Sequence, residues 1–154
     1  MDTSIALKWV LVEDDSALAF DLASEWNAQG LMMIAPTLLA YEVANTLRQK
    51  VRAGKMSADD ARAALAGVLS GGLVLDTLDQ AQQAVQSERA LALANQLDLS
   101  ATYDAHYLAL AEREGCEHWT ADERLWNAVK TQLPWVRWLG ERAASAPATT
   151  PPAP

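Results

Sequence analysis

The stretch SATYDAHYLALAEREGCEHWTADERLW, residues 100–126, decides the fold class, because it runs from a helix through a strand into a second helix. Residues 100–115 carry apolar side chains at helical spacing and end at Gly115, a residue typical of helix termini. The run CEHWT, residues 116–120, has the length of a strand. Helical spacing resumes in ADERLWNAVKTQ, residues 121–132. Helices alternating with strands predict a parallel sheet.

The rest of the chain shows the same alternation. Periodicity predicts helices over residues 3–11, 14–29, 37–54, 57–71 and 79–98, the last with a break near Ser87, and strands over residues 31–36, 72–78 and 135–139. We therefore expect an α/β protein with three layers (α/β/α), in which helices flank a short, mostly parallel central sheet. Residues 1–140 form one domain in this prediction, and the Pro/Ala/Thr-rich residues 141–154 form a disordered tail.

Composition narrows the classes of protein. The net charge is −8, from 20 acidic and 12 basic residues, so that non-specific binding of phosphates is disfavoured unless metal ions or a local basic patch take part. No apolar run approaches the ~20 residues of a membrane span, and the N-terminus lacks the features of a signal peptide. The single cysteine, Cys116, fits a reducing compartment. These features predict a cytoplasmic protein without a membrane partner.

Four acidic residues stand near the junctions between strands and helices. Asp2 precedes the first predicted helix, Glu42 lies in the second turn of the helix over residues 37–54, and Asp104 lies in the first turn of its helix. Asp122 follows the strand over residues 116–120. Such junctions gather at the carboxyl edge of a parallel sheet, where ligands bind. We expect the four carboxylates to converge on one cleft.

Clustered carboxylates raise one another's pKa values, and a divalent cation relieves this repulsion. Mg²⁺ and Mn²⁺ prefer oxygen ligands, and they activate water for the hydrolysis of phosphodiester bonds. Such a site needs no serine, cysteine or histidine nucleophile.

Four blocks of the chain carry a family resemblance. They are MDTSIALKWVLVEDDSALAFDL, APTLLAYEVANTLR, LSATYDAHYLALAEREG and TADERLWNA. In this order and spacing they resemble the signature blocks of PIN-domain ribonucleases, and most closely those of the VapC-like toxins of type II toxin–antitoxin systems.

The resemblance implies a catalytic and metal-binding set, with Mg²⁺ or Mn²⁺ as cofactor. This set consists of Asp2, Glu42, Asp104 and Asp122. Supporting polar residues are Thr3, Ser4, Asn45 and Thr120, of which Thr120 also has capping-box spacing to Glu123. The resemblance further implies an endoribonuclease that cleaves RNA, a homodimer, and a cognate antitoxin protein that docks near the groove of the active site.

The chain departs from the family pattern at its N-terminus. A hydrophobic first strand precedes the first aspartate in the family, whereas only Met1 precedes Asp2 here. Either the true start lies upstream, which we favour, or the strand is lost, which would leave part of the sheet unpaired and weaken the site at Asp2. The alternative function is a catalytically weakened PIN-fold module that binds antitoxin or RNA. A different acidic phosphatase or nuclease is disfavoured, because no D-x-D pair follows an early strand.

Overall fold

The structure, a computed structural model, describes residues 1–145, with side chains through residue 142. These residues form eight helices and four short strands. The helices are α1 Thr3–Lys8, α2 Ser16–Ala28, α3 Leu38–Arg52, α4 Ala58–Ser70, α5 Gln80–Gln96, α6 Tyr103–Glu114, α7 Glu123–Val129 and α8 Leu139–Ser145. The strands are β1 Met33–Pro36, β2 Leu73–Asp76, β3 His118–Thr120 and β4 Val136–Trp138. Helices alternate with strands, which confirms the predicted α/β class.

All strand pairing is parallel, as predicted, but the described strands form two separate pairs. β1 pairs with β2, and Ile34 lies opposite Val74. β3 pairs with β4, and Trp119 lies opposite Arg137. Between the pairs lies the N-terminus: the Met1 nitrogen donates to the Ile34 carbonyl at 3.3 Å, and the Asp2 N–H donates to the Trp119 carbonyl at 3.2 Å. The sheet is thus divided at its centre, with Met1 and Asp2 bridging its halves.

Helix α6 packs against both halves of the hydrophobic core. Its Tyr107 belongs to a cluster that includes Val43 and Leu47 of α3, while its Leu108 belongs to a second cluster that includes Leu93 of α5. Leu39, Val43 and Leu47 form the buried face of α3. These contacts fix α3 and α6 relative to α1, which positions the candidate site.

Two helical segments differ from prediction. α5 runs without a break past Ser87, because Ala90 and Leu93 continue its buried face and the Gln83 side chain donates to the Ser87 hydroxyl at 3.1 Å. Helix α8 extends through Ser145, so that residues 141–145 are helical although they fall in the predicted tail. The rest of that tail, residues 146–154, lies outside the described residues.

Candidate metal centre

The ends of four helices meet around one cleft of about 250 Å³. Asp2 is the N-cap of α1, Asp104 lies in the first turn of α6, and Asp122 is the N-cap of α7. Glu42 lies in the second turn of α3. The complete lining consists of Asp2, Thr3, Ser4, Leu7, Glu42, Thr46, Asp104, Tyr107 and Asp122. All four predicted carboxylates therefore lie around the same cleft.

The carboxylate of Asp2 is buried, and each of its two oxygens has a polar neighbour. Its Oδ1 accepts hydrogen bonds from the Ser4 N–H at 3.0 Å, from the Ser4 hydroxyl at 2.6 Å and from the Ile5 N–H at 3.3 Å. Its Oδ2 lies 3.6 Å from Nε2 of His118, beyond hydrogen-bond distance. The cap satisfies free N–H groups of α1 and gives the Asp2 side chain a fixed orientation.

His118, the neighbour of Asp2, is fully buried. Burial lowers the pKa of its imidazole, which favours the neutral ring at neutral pH. Burial alone would raise the pKa of Asp2, but the nearby His118 ring and the hydroxyls of Ser4 and Thr120 outweigh it, and the pKa is lowered. Within the described residues, neither ring nitrogen has a hydrogen-bond partner. The contact with Asp2 is thus the main polar interaction available to this ring.

The carboxylate of Glu42 is oriented by two hydroxyl groups. Its Oε2 accepts a hydrogen bond from the Thr3 hydroxyl at 2.9 Å and another from the phenol of Tyr107. The Thr3 and Tyr107 oxygens lie 2.9 Å apart. Burial and the hydrogen bond to Glu42 raise the pKa of Tyr107, which therefore remains a proton donor. This triad joins α1, α3 and α6 at one side of the cleft.

Asp122, rather than Thr120, caps α7. Asp122 Oδ1 accepts from the N–H groups of Arg124 at 2.8 Å and Leu125 at 3.3 Å. The predicted capping box of Thr120 with Glu123 is therefore wrong, because Thr120 lies within β3, where its hydroxyl accepts from the Asp122 N–H at 2.9 Å. Through this hydrogen bond, the Thr120 hydroxyl holds the turn between β3 and α7.

The hydroxyl of Ser4 links two of the acidic segments. It donates to Asp2 at 2.6 Å and accepts from the Ala121 N–H at 2.7 Å. Ala121 directly precedes Asp122, so that one serine side chain connects the start of α1 with the turn before α7. Of the predicted supporting residues, Ser4 thus contacts Asp2 and Thr3 contacts Glu42.

Asp104 shows the electrostatic cost of this arrangement. Burial of its carboxyl and the negative charges of Asp2, Glu42 and Asp122 raise its pKa to about 6. The positive charge of Arg124 opposes this shift only weakly. A carboxyl in this position is destabilised in its ionised form, which is the form that binds a cation.

We expect Asp104→Asn to stabilise the metal-free protein by about 1 kcal/mol above pH ~7, after screening by solvent at this exposed residue. The folded state binds an extra proton between about pH 4 and pH 6, so the stability of the parent falls as pH rises through this window. The gain should therefore vanish below about pH 4. Urea unfolding at several pH values in EDTA measures it. A gain that does not depend on pH would contradict the assigned repulsion.

The donor set suits a hard divalent cation, since every acidic side chain around the cleft offers oxygen. Within residues 1–145, however, no three acidic, histidine or cysteine side chains lie close enough together to form a preformed metal site. Cation binding therefore fits the chemistry and the charge of the cleft, while the spacing of the carboxylates is wider than in a finished coordination shell.

Three residues of this region are not among the site residues that the sequence predicts. Thr46 lines the cleft in place of Asn45, which is exposed and does not line it. Thr46 follows Glu42 by four residues, a spacing that places two side chains on one helix face. Tyr107 follows Asp104 by three residues, which gives a similar signal. For His118 the signal in the sequence is weaker. His118 and Thr120 are two residues apart in β3, so their side chains lie on the same face of the strand.

Comparison with known families agrees with this geometry. The sequence pattern of the PIN domain matches residues 1–130. Comparison with curated proteins finds no match. PIN domains are generally nucleases, and PIN nucleases generally use Mg²⁺ or Mn²⁺ and act on RNA. Among residues 1–145, no helix has both the length and the apolar character needed to cross a membrane. The match spans most of the chain and the fold is α/β with short parallel strands, so the chain belongs to the PIN domain family.

Proposed function

We propose that this protein is a metal-dependent endoribonuclease that hydrolyses RNA phosphodiester bonds. The observation that carries the proposal is the meeting of Asp2, Glu42, Asp104 and Asp122 around one cleft. The raised pKa of Asp104 supports it, since this carboxyl experiences the negative charges of the other three. An acidic cleft of this kind favours a cation over a phosphate, and the cation then makes phosphate binding possible.

In this proposal, Asp2, Glu42, Asp104 and Asp122 hold Mg²⁺ or Mn²⁺. When bound, such a cation neutralises charge on the scissile phosphate and makes water more acidic. The chain itself supplies orientation: Ser4 fixes Asp2, while Thr3 and Tyr107 fix Glu42. Fixed ligands reduce the reorganisation needed when substrate binds.

A depression of mixed charge adjoins the acidic cleft. Lys8, Lys50 and Arg124 line a neighbouring depression of about 440 Å³ that shares Ser4 and Asp122 with the cleft lining. Lys50 pairs with Glu13 at 2.7 Å. Glu13, Asp122 and Glu123 line the same depression, so acidic side chains balance its basic ones. Phosphate binding on a protein whose net charge is −8 therefore depends on a bound cation.

The purified chain should cleave total RNA in Mg²⁺ or Mn²⁺, and EDTA should abolish the cleavage, because the carboxylates cannot position phosphate without a cation. Gel analysis of the RNA fragments measures this, and restoration of activity by excess Mg²⁺ after EDTA serves as the control. RNA that remains intact in both metals would overturn the nuclease proposal.

We further propose that the enzyme is the toxin of a toxin–antitoxin pair, acts in the cytoplasm as a homodimer, and is silenced by an antitoxin that docks near the cleft. The support is the resemblance of the four sequence blocks to VapC-like toxins. Its expression should arrest growth, and the product of a small adjacent reading frame should relieve the arrest. Growth arrest by a variant that cannot cleave RNA would contradict this role.

A second candidate function is that of a PIN-fold binding module with weak catalysis. The division of the sheet beside Asp2 favours it, as does the wide spacing of the carboxylates within residues 1–145. This second function would be identified if the protein binds RNA in Mg²⁺ but does not cut it, and if the salt dependence of binding is the same with and without Mg²⁺.

A further inference from the structure

A second pocket lies at the carboxyl ends of β1 and β2. Its volume is about 320 Å³, and its walls are formed by the start of α3, the end of β2 with the loop that follows, the first half of α5 and His106 of α6. Pro36 and Asp76, the last residues of the two strands, lie opposite each other and both line it. This is the edge of a parallel sheet at which ligands bind. We call this cavity the edge pocket.

The edge pocket adjoins the acidic cleft, although among the described residues the two linings have none in common. Tyr41 of the edge pocket precedes Glu42 of the cleft in α3, and His106 precedes Tyr107 of the cleft in α6. Burial lowers the pKa of His106, and the negative charge of Glu42 acts against this shift, so the two side chains lie within electrostatic range of each other. The same two helices therefore line both cavities.

One arginine holds two polar side chains of the edge pocket. Arg113 Nη1 donates to Gln86 Oε1 at 3.3 Å, and Arg113 Nη2 donates to Asp76 Oδ2 at 2.7 Å. Because the guanidinium is planar and rigid, these bonds fix the two acceptors relative to each other. Arg113 Nε also pairs with Glu114 at 2.9 Å. Two carboxylates thus balance its charge, so the edge pocket does not suit a phosphate.

The amide of Gln86 has a donor that is not used. The side chain is 7% exposed, and its Nε2 has no hydrogen-bond partner within the part of the chain that the structure describes. A buried N–H group without an acceptor costs free energy, which a ligand with an acceptor would recover. Arg113 occupies Oδ2 of Asp76, which leaves Oδ1 to accept from a ligand. The pair offers one donor beside one acceptor.

The other walls of the edge pocket suit a flat ring. Tyr41 lines it and is 74% exposed, so that its ring is open to a ligand. Leu38 and Leu78 add apolar surface. A planar heteroaromatic ring can stack on Tyr41 while its edge pairs with Gln86 and Asp76. A planar ring whose edge carries an N–H group beside an acceptor is the description of a nucleobase.

We propose that the edge pocket binds one nucleobase of the RNA that crosses the acidic cleft. Gln86 Nε2 donates to an acceptor on the edge of the base, Asp76 Oδ1 accepts from the neighbouring N–H group, and Tyr41 stacks on the ring. This inference rests on the proposed function for the identity of the polymer. It separates two tasks: the cleft and its cation act on the phosphate, while the edge pocket selects the base and thereby the cleavage site.

Free nucleosides test the edge pocket without catalysis. Uridine, cytidine, adenosine and guanosine carry no charge, so the acidic cleft does not repel them, and EDTA excludes metal. NMR titration of the isotope-labelled protein should show saturable shifts of the Gln86 side-chain amide and the Tyr41 backbone amide with at least one of the four. The same nucleoside with its edge N–H groups methylated should bind about tenfold more weakly, because Asp76 then has no donor to accept from.

Two variants test the assigned contacts. Tyr41→Ala removes the stacking ring from the surface, and Gln86→Met removes the donor while Arg113 keeps its bonds to Asp76 and Glu114. Each should weaken nucleoside binding by about tenfold. The matched control is Tyr103→Ala, since Tyr103 is 59% exposed at the start of α6 but does not line the edge pocket. It should bind as the parent does.

The absence of saturable shifts with all four nucleosides, full binding by Tyr41→Ala, or equal weakening by Tyr103→Ala would overturn the proposal. Shifts of the same amides on dilution of the free protein would also overturn it, since the face would then belong to a second copy. The RNA digest separates this inference from the proposed function. Cleavage without nucleoside binding removes the edge pocket alone, whereas nucleoside binding without cleavage retains the pocket and refutes the nuclease.

Discussion

Asp104→Asn should reduce metal-dependent RNA cleavage by about a thousandfold, a loss equivalent to ~4 kcal/mol of transition-state stabilisation. Asparagine keeps the size of the side chain but removes the charge that a cation needs. Burial and the negative charges of Asp2, Glu42 and Asp122 raise the pKa of Asp104, and a bound cation would relieve this repulsion. Single-turnover cleavage of a short RNA at saturating Mg²⁺ measures the loss.

The control for this variant is Asp21→Asn, which removes one negative charge from the exposed surface of α2. It should retain the activity of the parent. Since Asp104→Asn is expected to be more stable than the metal-free parent, lost activity cannot be ascribed to unfolding. Retention of activity within about threefold would remove Asp104 from the proposed metal set, while inactivity of the parent itself would refute the nuclease proposal.

Asp2→Ala should lower the free energy of unfolding by about 2–4 kcal/mol at neutral pH. The change removes the N-cap of α1, with its bonds from Ser4 and Ile5. It also leaves the fully buried ring of His118 without its charged neighbour at 3.6 Å. Asp2→Asn should cost less, because the amide oxygen can still accept from the helix N–H groups. Equilibrium urea unfolding in EDTA measures both variants.

Asp79→Ala is the matched control, since Asp79 caps α5 at the exposed surface through the Gln82 N–H at 2.8 Å. It should cost about 1 kcal/mol, the usual contribution of a cap. The excess loss at Asp2 then reports its additional hydrogen bonds, including that from the Ser4 hydroxyl, together with the buried contact with His118. If Asp2→Ala costs no more than Asp79→Ala, the buried contacts of Asp2 contribute no more to stability than an exposed cap does.

The effect of pH on Asp2 should have the opposite sign to that on Asp104. The pKa of Asp2 is lowered in the folded protein, since the His118 ring and the Ser4 and Thr120 hydroxyls together outweigh its burial. Its contribution is therefore present above the pKa of the unfolded chain and is lost as pH falls through the lower pKa of the folded state. The difference between Asp2→Ala and the parent should accordingly shrink in acid.

The sequence predicts the fold class and the meeting of the four acids because both depend on local periodicity and chain order. The helix spacing of Leu39, Val43 and Leu47 suffices to define the buried face of α3. Asp2, Asp104 and Asp122 stand at helix starts, and Glu42 lies one turn further into its helix. These positions place all four acids towards one edge of the sheet. Neither inference needs knowledge of distant contacts.

The details of the site depend on contacts that no local pattern contains. The bond from Tyr107 to Glu42 joins residues far apart in the chain, and the position of His118 beneath Asp2 depends on how β3 meets the N-terminus. Thr120 illustrates the limit, because a capping-box spacing is present but the residue belongs to a strand. Helix α8 is likewise too short for a clear period.

The position of α6 in both clusters of the core has a consequence for cooperativity. Tyr107 and Leu108 are adjacent, yet each belongs to a different cluster, and Asp104 lies one turn before them on the same helix. Loosening of either half of the core must therefore displace a helix that the other half also holds. The acidic cleft lies within the folding unit common to both halves, and its geometry should persist until the domain unfolds as a whole.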